Sequence, residues 1–147
     1  MQAAEPLDGP FVAALGGVAR QYGLWLAAGM YERTDGLPCN TIAVLDSSGA
    51  LRGFHRKRKL YDAFGYLESD ECRAGGQPFC PVDTPLGRLG IITCFELRFP
   101  ALAAEQKAAG AELLSSPQAG RLGQTSCCTG APCCAPAPLK TAWLCSA

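Results

Sequence analysis

Apolar runs too short for helices, set between stretches with helical spacing, most constrain what this 147-residue chain can fold into. Leu24-Trp25-Leu26-Ala27-Ala28-Gly29-Met30, Thr41-Ile42-Ala43-Val44-Leu45 and Arg88-Leu89-Gly90-Ile91-Ile92-Thr93 read as buried strands. Ahead of them, Phe11, Leu15, Val18, Ala19 and Tyr22 recur at spacings of three and four, which predicts a helix from Gly9 to about Tyr22. Asp8 is placed to cap that helix, Pro10 suits its first turn and Gly23 ends it. Asp46-Ser47-Ser48-Gly49 joins the strand ending at Leu45 to Leu51–His55, so the two form a hairpin with Gly where positive φ is easiest. A second helix is predicted from Pro100 through Leu102 and Glu105 to about Gly110, and Ala111 to Ser116 returns to a strand. Such alternation argues for an α/β layered fold. Tyr61 to Gly76 has no clean period and carries Gly65, Gly75 and Gly76, so it reads as a long ordered loop of the kind that often carries function.

Charge and cysteine usage narrow the function. Formal charge balances at +0, so no global field recruits nucleic acid or an anionic membrane. No apolar run is long enough to span a bilayer, and the N-terminus lacks the basic and apolar regions of a secretory signal, so a cytoplasmic location is expected. Nine cysteines are present, but Cys127, Cys128, Cys133, Cys134 and Cys145 crowd the C-terminal end. The odd total argues against a fully paired disulfide framework, and the body is read as a reduced protein. Gln118 to Lys140 is rich in Gly, Pro, Ser, Thr and Cys and has no apolar period. Its paired cysteines match no structural zinc spacing, and a soft-metal or redox site there is the weaker reading.

Three residues are candidates for chemistry. Cys94 stands at the end of a buried strand and before a helix, where its sulfur could face a pocket and the Phe95 N–H could donate to an oxyanion; a buried core thiol is the competing reading. Lys57 lies in His55-Arg56-Lys57-Arg58-Lys59, either a solvated basic edge or, by strand alternation, a segment that turns Lys57 and Lys59 to the opposite side from Arg56 and Arg58. Glu68 sits in the long loop, where glutamates are usually solvated. The lone histidine, His55, suggests nothing catalytic, and the body holds neither a phosphate-cradling glycine loop nor a zinc-type cysteine spacing.

Two strings carry a family resemblance. His55-Arg56-Lys57-Arg58-Lys59-Leu60-Tyr61-Asp62, followed by Ala63-Phe64-Gly65-Tyr66-Leu67-Glu68-Ser69, resembles the lysine region of nitrilase-superfamily carbon–nitrogen hydrolases of the amidase-like branch. Gly90-Ile91-Ile92-Thr93-Cys94-Phe95-Glu96-Leu97-Arg98-Phe99-Pro100 resembles that superfamily's nucleophile region, in the right order and at a believable distance. The likeness runs from about Pro6 to Pro117, so residues 1–117 are read as a partial domain of that family. It implies an incomplete α-β-β-α sandwich that in intact members commonly stacks as a homodimer.

Carried over position by position, the resemblance makes Cys94 the nucleophile, Lys57 the oxyanion-stabilising lysine and Glu68 the supporting glutamate near the substrate. It implies hydrolysis of a small linear amide, deaminated-glutathione-like amides among them, to carboxylate and ammonia through a Cys thioester, with a nitrile as the less favoured substrate. It calls for no metal or cofactor and for no nucleic acid or membrane partner. The alternative is a catalytically silent fragment acting at most as a dimerising or interaction module. The family's general base, a glutamate, falls upstream of the segment resembling Pro6 to Tyr22, and Glu5 aligns downstream of it. Lys59 stands where the family usually has histidine. Residues 118–140 depart from the family pattern and are read as a frame-shifted tract, after which residues 141–147 again resemble a family strand.

Overall fold

The computed structural model describes residues 4–118 and the strand Trp143–Cys145. Its first helix, α1 (Pro10–Tyr22), ends on Gly23 in the left-handed region (φ 64°), the conformation glycine adopts without a Cβ penalty. Its start departs from expectation. Gly9 rather than Asp8 is the N-cap, and the Glu5 carboxylate accepts the Phe11 N–H at 2.8 Å. A carboxylate reaching over from the preceding segment thereby satisfies one of the otherwise orphaned first-turn donors.

The strands β1 (Trp25–Glu32), β2 (Cys39–Leu45) and β3 (Leu51–Arg56) form an antiparallel meander. The predicted turn at Asp46–Gly49 joins β2 to β3, with Gly49 at φ 82°. The Asp46 side chain holds it, accepting from Ser48 N–H at 2.9 Å and Ala50 N–H at 3.0 Å. The region read as a long loop is more ordered than expected. It contains the two-residue strands β4 (Asp62–Ala63) and β5 (Tyr66–Leu67), then a 3₁₀ turn over Glu68–Asp70. Aperiodic sequence hides elements this short, because two residues cannot display a period.

A second sheet follows, of β6 (Val82–Thr84), β7 (Gly87–Ile91) and, after the helix α2 (Pro100–Ala108), β8 (Leu113–Ser115). The hairpin β6–β7 is antiparallel, whereas β7 and β8 pair in parallel through the α2 crossover. The strand β9 (Trp143–Cys145) pairs with β1, giving the first sheet the order β3-β2-β1-β9. Residues 119–140, where the frame-shift and cysteine-metal readings fall, lie outside the described residues.

Strand alternation explains the layering. Ala43 and Leu45 of β2 pack with Val12, Phe11 and Leu15 of α1 on one face of the first sheet. Ile42 and Val44 point the other way and meet Phe79, Val82, Leu89 and Ile91. Both faces of β2 are thus covered, which is why it reads as an unbroken apolar run. On β7, Gly90 faces outward, where an added Cβ would lie 2.9 Å from both Ala111 Cβ and Gln106 Oε1, so the α2 layer lies close against that face. The order is helix, sheet, sheet, helix: an α-β-β-α sandwich, incomplete over the described residues.

Candidate active site

The inward face of β3 carries the site toward the centre of the sandwich. His55 pairs across from Ile42 and so points between the sheets, where it meets the Phe79 ring edge-on at 6.2 Å. Two residues on, Lys57 keeps the same inward direction and is 3% exposed. Arg56 turns the other way onto the buried carboxylate of Glu32, which also accepts Thr41 Oγ1 at 2.9 Å. The basic run is therefore not a solvated edge. The expected pairing of Lys57 with Lys59 on one side fails, because β3 ends at Arg56 and Lys59 is exposed, its ammonium 5.5 Å from the Phe99 ring centre.

Lys57 and Glu68 meet directly, with Nζ donating to Oε2 at 2.5 Å. The Glu68 carboxylate is buried and satisfied: Oε2 also accepts the Tyr61 N–H at 2.7 Å, and Oε1 accepts Asn40 Nδ2 at 2.9 Å. A buried ion pair persists only when its remaining hydrogen-bonding capacity is met, and here strand, loop and turn each contribute. Nearby Cys72 is buried beside this carboxylate; burial first, then the charges of Glu68 and Glu71, push its thiol up to about 11.

Cys94 opens a 3₁₀ turn (Cys94–Arg98) just beyond β7. Its φ of 49° is left-handed, a conformation that costs a non-glycine residue on the order of 1–2 kcal/mol. The surroundings impose it. The Cys94 N–H donates to the Pro117 carbonyl at 3.0 Å, prolonging the β7–β8 pairing, and the chain must then turn sharply into 3₁₀ geometry. The Phe95 N–H stands one position ahead of that turn's bond from Glu96 N–H to the Thr93 carbonyl (3.0 Å). Its ring packs edge-on against Tyr61 at 5.2 Å and against Phe99 at 5.3 Å. Phe95 thus borders the residue whose backbone N–H binds Glu68.

Sequence reasoning passed over Glu96 and His55. Glu96 is fully buried, and its Oε2 accepts the Thr93 N–H at 2.6 Å and lies 2.7 Å from His55 Nε2. Its Oε1 accepts the Arg58 N–H at 2.7 Å. Burial, the strongest single influence, opposes the charge; the His55 hydrogen bond and charge and the Arg58 and Thr93 N–H groups together outweigh it and hold this carboxyl below its ordinary range. One signal was available: Thr93-Cys94-Phe95-Glu96 has the Thr-x-x-Glu spacing of a capping box. That spacing foretells the Glu96 to Thr93 bond but not the long-range partners. Among the described residues no cluster of His, Cys, Asp and Glu has the arrangement of a metal site.

The sequence profile of the carbon-nitrogen hydrolase family matches residues 1–131.

The chain belongs to this family.

It is 37% identical over 111 residues to the nitrilase and fragile histidine triad fusion protein NitFhit of Caenorhabditis elegans, covering 69% of this chain and 25% of NitFhit. The NitFhit crystal structure superposes with a TM-score of 0.70 over 77% of this chain and 30% of that one, at 34% identity. A deaminated glutathione amidase of Yersinia enterocolitica is 34% identical over 122 residues, 76% of this chain and 42% of the amidase. A mutant amidase of Nesterenkonia sp. AN1, solved with the acetamide moiety of fluoroacetamide added covalently at its active site cysteine, superposes with a TM-score of 0.67. That match is 25% identical and covers 74% of this chain and 41% of the amidase. The chain thus spans less than half the length of these relatives. The fold expected from the two motifs is the fold these carbon–nitrogen hydrolases share.

Proposed function

We propose that this chain carries the nucleophile and oxyanion side of an amidase active site acting on small linear amides. The observation that carries the reading is the left-handed Cys94 at a strand end, tied through one buried carboxylate to the segment bearing the buried Lys57. In the proposed cycle, the Cys94 thiolate adds to the amide carbon and the C=O pair moves onto oxygen. The Lys57 side chain and the Phe95 N–H receive that oxyanion, while Glu68 holds Lys57 in place. Collapse breaks the C–N bond, the nitrogen takes up a proton and ammonia departs, leaving a thioester. Water then attacks the thioester, giving the carboxylate and restoring the thiol. A free thiol has a pKa of about 8.5, so the cycle requires a base to activate it, and none of Cys94, Lys57, Glu68 or Phe95 is assigned that role.

Amides resembling deaminated glutathione are the favoured substrate class, supported by the amidases among the relatives. A second copy of the chain is the proposed partner, on family resemblance alone, and light scattering in solution reads it. A cytoplasmic setting agrees with the free thiols of Cys39, Cys72, Cys80 and Cys94. No helix among the described residues is long and apolar enough to cross a membrane.

The test is ammonia release from short ω-amides of dicarboxylic acids, with Cys94→Ala alongside. Turnover that falls about tenfold or more in Cys94→Ala supports the reading, and Lys57→Ala is expected to lower it on the order of 10²–10³. Equal background from all three proteins eliminates hydrolysis by this chain and favours the silent, interacting module.

A further inference from the structure

We propose that Glu96 is a positioning residue whose buried carboxylate locks the Cys94 turn to the Lys57 segment and so sets the reactivity of the thiol. The proposal rests on the reading of Cys94 as nucleophile. Glu96 has no exposed surface, and its two oxygens divide their work. Oε2 holds its own turn through the Thr93 N–H at 2.6 Å and meets His55 at 2.7 Å. Oε1 holds the other segment through the Arg58 N–H at 2.7 Å and the Lys59 N–H at 3.3 Å. Those backbone donors immediately follow Lys57, and Thr93 immediately precedes Cys94. One side chain therefore links the two segments across 38 positions of sequence.

The strained backbone of Cys94 gives this link its consequence. A residue in a sparsely populated conformation stays there only if its surroundings over-determine it. The Pro117 carbonyl holds the Cys94 N–H, and Glu96 holds the N–H just before it. The Gln isostere separates this role from space-filling. It has one acceptor oxygen, so its NH₂ must face either the Thr93 N–H or the Arg58 and Lys59 N–H groups. Whichever way it turns, one of the two ties becomes a clash of donors.

Acrylamide alkylation of each cysteine, followed by peptide mass spectrometry, reads the proposal without requiring turnover. Exposed Cys80 is the reference, and buried Cys39 and Cys72 report whether the fold stays closed. In the unmodified protein Cys94 is expected to react about tenfold or more faster than Cys80. In Glu96→Gln the ratio of Cys94 to Cys80 rates is expected to fall about tenfold or more, with Cys39 and Cys72 still protected. Glu105→Gln, which loses a charge on the Arg58 side chain and leaves the backbone ties alone, is expected to keep the ratio within about twofold.

A Glu96→Gln ratio within about twofold of the unmodified protein overturns the proposal. If Glu96→Gln instead uncovers Cys39 and Cys72, His55→Leu replaces it, removing one side-chain partner and leaving the three backbone bonds. A loss of about threefold or more with both buried thiols protected then supports the positioning role. An unchanged ratio, or uncovered thiols in this variant too, overturns it. A Cys94 that reacts no faster than Cys80 in the unmodified protein defeats the nucleophile reading itself, an outcome distinct from loss of the Glu96 effect alone.

Discussion

Lys57 and Glu68 are eleven residues apart in sequence, buried together, and each is the other's countercharge. Removing one member strands the other in a poorly solvated site, which typically costs about 3–5 kcal/mol, whereas replacing both with apolar residues of similar volume is often close to neutral. Lys57→Met is therefore expected to destabilise the protein by about 3–5 kcal/mol, and Lys57→Met combined with Glu68→Leu by clearly less. Urea unfolding of the two variants tests this. Equal losses would mean the pair is more solvated than its burial implies. The same residues show what sequence could and could not supply. The motif picked out Lys57 and Glu68 as candidates, but their contact depends on Tyr61 and Asn40 bringing Glu68 beneath the end of β3.

Among the secondary-structure elements, close backbone approach decides the fit. Gly16 of α1 and Gly49 of the β2–β3 turn touch so closely that a Cβ on Gly16 would lie 2.7 Å from the Gly49 carbonyl oxygen. That neighbour is backbone and cannot swing away. Gly17, one position on, has open space around an added Cβ. Gly16→Ala is expected to destabilise by about 1–3 kcal/mol through displacement of α1. Gly17→Ala is expected to stabilise by about 0.5–1 kcal/mol, because alanine restricts the unfolded chain and suits a helix interior. Thermal melting of the pair checks both signs, and a shift in the same direction for the two would refute the contact. A second close approach bears on the site. A Cβ on Gly75 would lie 2.4 Å from the Arg56 carbonyl oxygen, and the Gly75 N–H donates to the Lys57 carbonyl at 2.8 Å. Glycine here lets the returning loop lie directly on the segment that carries the lysine.

For the molecule as a whole, buried carboxylates govern the response to acid. Both Glu32 and Glu96 lie below the ordinary glutamate value of 4.5 in the folded protein. Burial is the largest influence on Glu32 and raises it, but the Arg56 and Thr41 hydrogen bonds, with the charges of Arg56 and Arg73, more than offset that. As pH falls the unfolded chain takes up these protons first. The stabilisation is thus fully present above the unfolded value and is lost as pH drops through the folded ones. The melting temperature is expected to hold level above about pH 5 and to decline below about pH 4.5. Glu32→Gln is expected to start from a lower plateau and decline less steeply. An identical slope for that variant would show that other carboxylates dominate.

Sequence by itself determined the local features: the starts and stops of both helices near Pro10, Gly23 and Pro100, the hairpin through Asp46–Gly49, and the buried character of β2 and β7. It also yielded the two motifs from which the α-β-β-α sandwich was expected. Each of these is written in residues a few positions apart, where spacing and turn chemistry act directly. The tertiary structure alone decided that Asp8 yields its capping place to Gly9 and Glu5, that β6 forms a hairpin with β7, and that Lys59 leaves the inward face. It alone joined Glu96 to His55 across 41 positions and gave Cys94 its left-handed backbone. Periodicity reports which side of an element is apolar. Which polar group meets which inside the sandwich depends on how two sheets stack, and that geometry is not written in any one of the segments it brings together.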